Sequence, residues 1–166
     1  MSMLIQSGLK ILAREGYEIL IDQGIEKARI FAAMIDDQSD FELITRPELN
    51  ILTYRYCPES VQQALELATP AQSEKLNTCL NRITKFIQKT QRERGKAFVS
   101  RTRLEPARHE HFPCIVFRVV LANPLTTSDI LADILAEQRE LAKEEDIQDE
   151  ITILHQMAEA VLQSPQ

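Results

Sequence analysis

The stretch "FRVVLANPLTT", residues 117–127, places an arginine in an apolar run. It reads as a strand, a turn at Asn123–Pro124 and the start of a helix. Side chains alternate between the two faces of a strand, so Ile115, Phe117, Val119 and Leu121 share one face. Val116, Arg118, Val120 and Ala122 share the other. Both sets are apolar except for Arg118, which predicts a central strand. An unpaired buried charge costs several kcal/mol at least, so Arg118 needs an anion or an edge position. The anion is either one of the 25 acidic residues of the chain or the carboxylate of a ligand held by the planar guanidinium fork. Otherwise the side chain snorkels to solvent.

Working outward, Thr126 and Asp129 fit a capping-box-like start to a helix carrying Ile130, Leu131, Ile134, Leu135 and Leu141. A final helix carries Ile151, Leu154, Met157, Val161 and Leu162. Upstream, "AFVSRTRL" (97–104) predicts a strand, and the loop "EPARHEHFP" joins it to the strand from Cys114. Leu76, Leu80, Ile83, Phe86 and Ile87 form one stripe of an amphipathic helix over 71–92, with Gly95 as its stop. A short helix is expected over 59–68. "FELIT" (41–45) and "LNILTYRY" (49–56) predict two strands, most simply a hairpin. Leu9, Leu12, Ile19, Leu20, Ile25, Ala28 and Phe31 predict a helix over 8–34, with a bend or break near Gly16. The pattern predicts an α+β fold: an antiparallel sheet of about four strands with helices packed mainly on one face.

Composition narrows the function. The chain has 166 residues and 44% apolar residues, which suits one domain with a real core. A net charge of -6 argues against a general nucleic-acid binder. The basic run from Arg82 to Arg108 lacks interleaved aromatics, and the acidic stretch 129–150 can complement it. No apolar run is long enough to span a bilayer, so no membrane partner is expected. Cys57, Cys79 and Cys114 are odd in number and far apart, which fits reduced thiols in the cytoplasm. His109 and His111 have an H-x-H spacing, but no cysteine or carboxylate set completes a metal site, and none is expected. Ser100 and Thr102 read as strand residues, not nucleophiles. No glycine-rich phosphate loop is present.

"DFELITRPELNILTYRY", "LNRITKFIQ…GKAFVSRTRL" and "FRVVLANPLTTSDILADIL" occur in the order found in the C-terminal part of group II pyridoxal-phosphate-dependent amino-acid decarboxylases. The chain resembles that family from about Leu4 to Leu141. The resemblance implies a type I fold enzyme, with residues 1–34 as a helical segment leading from an absent large domain. Residues 35–141 would be the small α+β C-terminal domain and 142–166 a helical extension. It implies that Arg118 binds the α-carboxylate of an amino-acid substrate. It also implies that the cofactor, pyridoxal 5'-phosphate, is held by the large domain of a homodimer, and that none binds this chain alone. The family's Schiff-base lysine follows a histidine, and "HK" does not occur here. The chain by itself is therefore expected to be inactive. "ANPLTT" is closer to the branch acting on aspartate, glutamate and 2,4-diaminobutyrate. The alternative is a non-catalytic interaction module that retains the small-domain fold.

Overall fold

A computed structural model describes residues 2–164. Helix α1 (Ser2–Asp36) leads into β1 (Phe41–Thr45) and β2 (Ile51–Tyr56). Helices α2 (Glu59–Leu67) and α3 (Pro70–Arg94) follow, then β3 (Ser100–Leu104) and β4 (Cys114–Val120). Helices α4 (Ser128–Leu141) and α5 (Glu145–Leu162) complete the described chain. The four strands form one antiparallel sheet in the order β1-β2-β4-β3. The fold is thus the expected α+β arrangement, the 41–56 segment is a hairpin, and β4 is an inner strand.

Local chemistry accounts for the element ends. Pro70 stands at the first turn of α3, where a missing N–H costs nothing, and Gln72 Oε1 accepts the Thr69 N–H at 2.9 Å. Gly95 closes the same helix in the left-handed conformation with φ 71°, its N–H donating to Gln91 O. Asn123 shapes the turn after β4, its Oδ1 accepting from Leu125 N at 3.0 Å. The N-cap of α4 is Thr127, one residue beyond the expected Thr126, and its side chain accepts from Ile130 N. The interruption in α1 lies at Ala13, whose φ of 53° is non-helical, three residues before the glycine expected to cause it. The side chains of Leu9 and Leu12 from the expected stripe lie outside the described residues.

Paired residues across an antiparallel ladder share a face. Leu52 with Val119 and Tyr54 with Phe117 line the covered face. Helix α1 packs there on β1 and β2, and α3 packs on β4. Tyr54 is the centre of this layer. Its ring meets Phe31 of α1 edge-on at 5.4 Å and Phe117 of β4 at 5.2 Å. Its hydroxyl donates to Gln138 of α4 at 3.0 Å. Helix α5 lies against α2 and α3 and buries Ile147, Leu154, Ala158 and Val161. The far end of α1 differs from its core half. Ala28, Phe31, Ala32 and Ile35 are buried, whereas Ile19, Leu20 and Ile21 are exposed.

Gly24 is where α1 crosses the end of β4. A Cβ built on it would stand 2.8 Å from Leu121 O and 3.2 Å from Asn50 Cβ. The Leu121 N–H also donates to Asn50 O at 2.8 Å, so the contacted backbone is fixed. One turn on, Lys27 Nζ donates to Asn123 O and Pro124 O at 3.1 and 2.6 Å. Helix propensity alone favours alanine over glycine by about 1 kcal/mol. Here the backbone contact outweighs it, and Gly24→Ala is expected to lower the denaturation free energy by about 1–3 kcal/mol. A raised unfolding midpoint for this variant would contradict that packing.

Candidate functional site

The most apolar strand does not hold the buried arginine. Arg118 lies on the inner strand β4 but is exposed, so the expectation of a desolvated charge in need of an anion is corrected. The reason is the asymmetry of the sheet. Val116 is buried, but farther along the same face Val120 and Ala122 are exposed, and so is Ile51, paired with Val120 across β2. Helices cover the other face and leave this end open. No described carboxylate forms an ion pair with Arg118. Its neighbours are Thr53 on β2 and Ser100 on β3, directly opposite on either side. Ser100 Oγ donates to Arg118 O at 2.7 Å and accepts from Arg118 Nε at 3.3 Å. Thr53 Oγ1 is engaged with Thr45 Oγ1 at 2.7 Å. The arrangement is a cation without a carboxylate partner among the described residues, on an open patch with apolar neighbours.

The fully buried arginine is Arg55, which sequence reasoning missed. The hairpin register sets Glu42 opposite it, and Arg55 Nε donates to Glu42 Oε2 at 2.6 Å. Nη1 donates to Asn77 Oδ1 of α3 at 2.7 Å. His109 Nε2 lies 3.1 Å from Arg55 Nη2 and 2.8 Å from Glu42 Oε1. Arg108 adds a contact to Glu42 Oε1 at 3.3 Å and bonds Leu43 O. Burial pushes the Glu42 carboxyl up, but Arg55, His109 and Arg108 outweigh it and hold it down at about 2. One cluster therefore ties β1, β2, α3 and the β3–β4 connection together. The signal was present in the sequence as a glutamate and an arginine in two strands expected to pair.

The histidines separate: His109 is buried in that cluster, and His111 is exposed with Nδ1 3.2 Å from Glu105 O. Among the described residues no group of three or more histidines, cysteines or carboxylates can hold a metal ion. Part of the basic run is met by carboxylates: Arg82 by Glu150 at 3.0 Å, Arg94 by Glu144, Arg103 by Glu105 at 3.0 Å. Two of these partners, Glu144 and Glu150, come from the acidic stretch. The three cysteines are free and buried, and burial pushes Cys57 and Cys79 up to about 12 and Cys114 in the same direction. Neutral thiols of this kind are poor nucleophiles.

The cofactor implied by the resemblance needs an enclosed lysine for its imine, together with groups for its phosphate and ring nitrogen. The described lysines do not fit. Lys10, Lys75, Lys85, Lys89, Lys96 and Lys143 are exposed, and Lys27 is committed to two carbonyl oxygens. No helix of the described residues is long and apolar enough to cross a membrane.

No family model matches the chain. It is 54% identical over 162 residues to aspartate 1-decarboxylase of Aliivibrio fischeri, covering 98% of this chain and 29% of that protein. It is 29% identical over 135 residues to aromatic-L-amino-acid decarboxylase of Bacillus atrophaeus, covering 81% of this chain and 24% of that one. The chain thus spans less than a third of the length of these curated relatives. The apo crystal structure of mouse CSAD shares the fold, with a TM-score of 0.67 at 21% identity over 82% of this chain and 26% of that chain.

The cluster around Arg55 makes a prediction about stability. A carboxyl held low in the folded state stabilises fully above its unfolded value, 4.5 here, and loses that contribution as pH falls towards about 2. Glu42→Gln leaves Arg55 buried without its anion and should lower the denaturation free energy by about 3–5 kcal/mol at neutral pH. The variant should also lose the part of the acid dependence between those two values. Equal stabilities of variant and parent at pH 7 would refute the assignment.

Proposed function

We propose, for a chain that belongs to the C-terminal region of the group II pyridoxal-phosphate-dependent amino-acid decarboxylases, that it forms the small domain of an amino-acid decarboxylase. Aspartate is the substrate this reading favours, supported by the 54% identity to an aspartate 1-decarboxylase. Arg118 is the residue that takes the substrate's α-carboxylate. The observation that carries this is its unpaired guanidinium on the open end of the sheet, held from one side by Ser100.

The catalytic work divides between two bodies. Pyridoxal phosphate would be held by a large domain joined to this one, and would there supply an electron sink. This chain supplies orientation. A carboxylate gripped by a planar fork has its plane fixed, and with it the direction of the bond to be broken. Enclosure by the second body would exclude water and strengthen the contact. The exposed Ile19, Leu20 and Ile21 of α1, and Ile51 and Val120 beside the arginine, are surfaces that such a body would cover. Residues 1–34 lead to it, and α5 belongs to an extension that closes the outer side of α2 and α3. The complete enzyme acts as a homodimer in the cytoplasm, consistent with three reduced thiols.

Replacement of Arg118 by methionine separates function from folding. In the complete enzyme, Arg118→Met should reduce kcat/KM for the amino acid by on the order of 100-fold or more, since a desolvated charge pair is lost. In the isolated domain the same change should move the denaturation free energy by less than about 1 kcal/mol, because the side chain is exposed. An unchanged kcat/KM would overturn the carboxylate assignment.

A further inference from the structure

A role for Ser100 rests on the carboxylate reading of Arg118. Ser100 stands directly opposite Arg118 in the β3–β4 ladder. A serine hydroxyl has one proton to give and lone pairs to accept. Here the proton goes to the Arg118 carbonyl at 2.7 Å, which leaves a lone pair facing Arg118 Nε at 3.3 Å. Both bonds of the hydroxyl thus serve one residue: the first fixes the serine rotamer, and the second uses it to hold the guanidinium. The hydroxyl on the other flank, Thr53, is already engaged with Thr45.

A guanidinium can meet a carboxylate along two edges. One pairs Nε with a terminal nitrogen, and the other pairs Nη1 with Nη2. With Nε occupied by Ser100, only the terminal edge remains for a two-bond grip. We propose that Ser100 is the positioning residue for substrate binding: it directs the Nη1–Nη2 edge of Arg118 at the α-carboxylate of the amino acid. Ser100 touches neither substrate nor cofactor. It acts by reducing the rotamers that Arg118 must give up when the carboxylate arrives. A hydroxyl at this position is therefore a binding determinant, although in the sequence it is one polar residue of an edge strand.

The experiment uses the complete enzyme with Ser100→Ala, Ser100→Thr, Arg118→Met and the Ser100→Ala/Arg118→Met double variant. Steady-state kinetics with the amino acid are measured, together with inhibition by a substrate analogue with the carboxylate and by the corresponding amine without it. Ser100→Ala should raise KM and the inhibition constant of the carboxylate analogue by roughly 3- to 10-fold, with a smaller change in kcat. The amine should bind as before. Ser100→Thr, which keeps the hydroxyl, should restore binding to within about twofold. In the Arg118→Met background, Ser100→Ala should add nothing, because the two act as a unit. If Ser100→Ala weakens both inhibitors equally, or adds its full effect without Arg118, the positioning role is overturned. If Arg118→Met itself spares binding of the carboxylate analogue, the reading of Arg118 fails instead.

Discussion

Removing a guanidinium from water costs several kcal/mol unless an anion and further acceptors replace its hydration. Arg55 meets that condition only when four parts of the chain converge. Glu42 comes from β1, Asn77 from α3 and His109 from the connection between β3 and β4. The cluster fixes the hairpin register, because sliding β1 by one residue would turn Glu42 to the other face. It also anchors the loop that delivers the chain to β4. The strand carrying Arg118 therefore begins beside a pinned cluster, where Cys114 Sγ lies 3.7 Å from Arg55 Nη1. It ends where Gly24 and Lys27 hold it against α1.

Two arginines on neighbouring inner strands thus have opposite fates. Arg55 is enclosed and paired, and its charge is a structural device. Arg118 is exposed and lacks a carboxylate among the described residues. The sheet is closed at one end and open at the other, and the open end is where binding is to be expected. An ion pair formed within the chain would leave nothing to offer a ligand. The free charge at Arg118 is inexpensive because water solvates it.

Elements with strong periodicity were legible in the sequence. The stripe Leu76, Leu80, Ile83 and Ile87 predicted α3, and alternation in "CIVFRVV" predicted β4. Alternation could not say which end of a face would be covered, because that depends on where helices cross. Val116 and Val120 look alike in sequence and differ in burial for that reason. The Arg55 cluster was hidden for a second reason. A register shift between Leu43 and Thr45 breaks the simple pairing count in the hairpin, so opposed residues could not be read off by symmetry. Arg118 stood out because of its apolar neighbours, and its exposure reverses the argument from burial. Ser100 gave no signal at all, since its meaning depends on the β3–β4 register.

In the proposed reading, Arg118 receives the acid group of the substrate at its terminal nitrogens. The test is a crystal structure of the full-length protein with a bound carboxylate-bearing substrate analogue. Both carboxylate oxygens are expected within hydrogen-bond distance of Nη1 and Nη2 of Arg118, with Nε still on Ser100. A carboxylate seated on a different cation, with Arg118 turned to solvent, would contradict it.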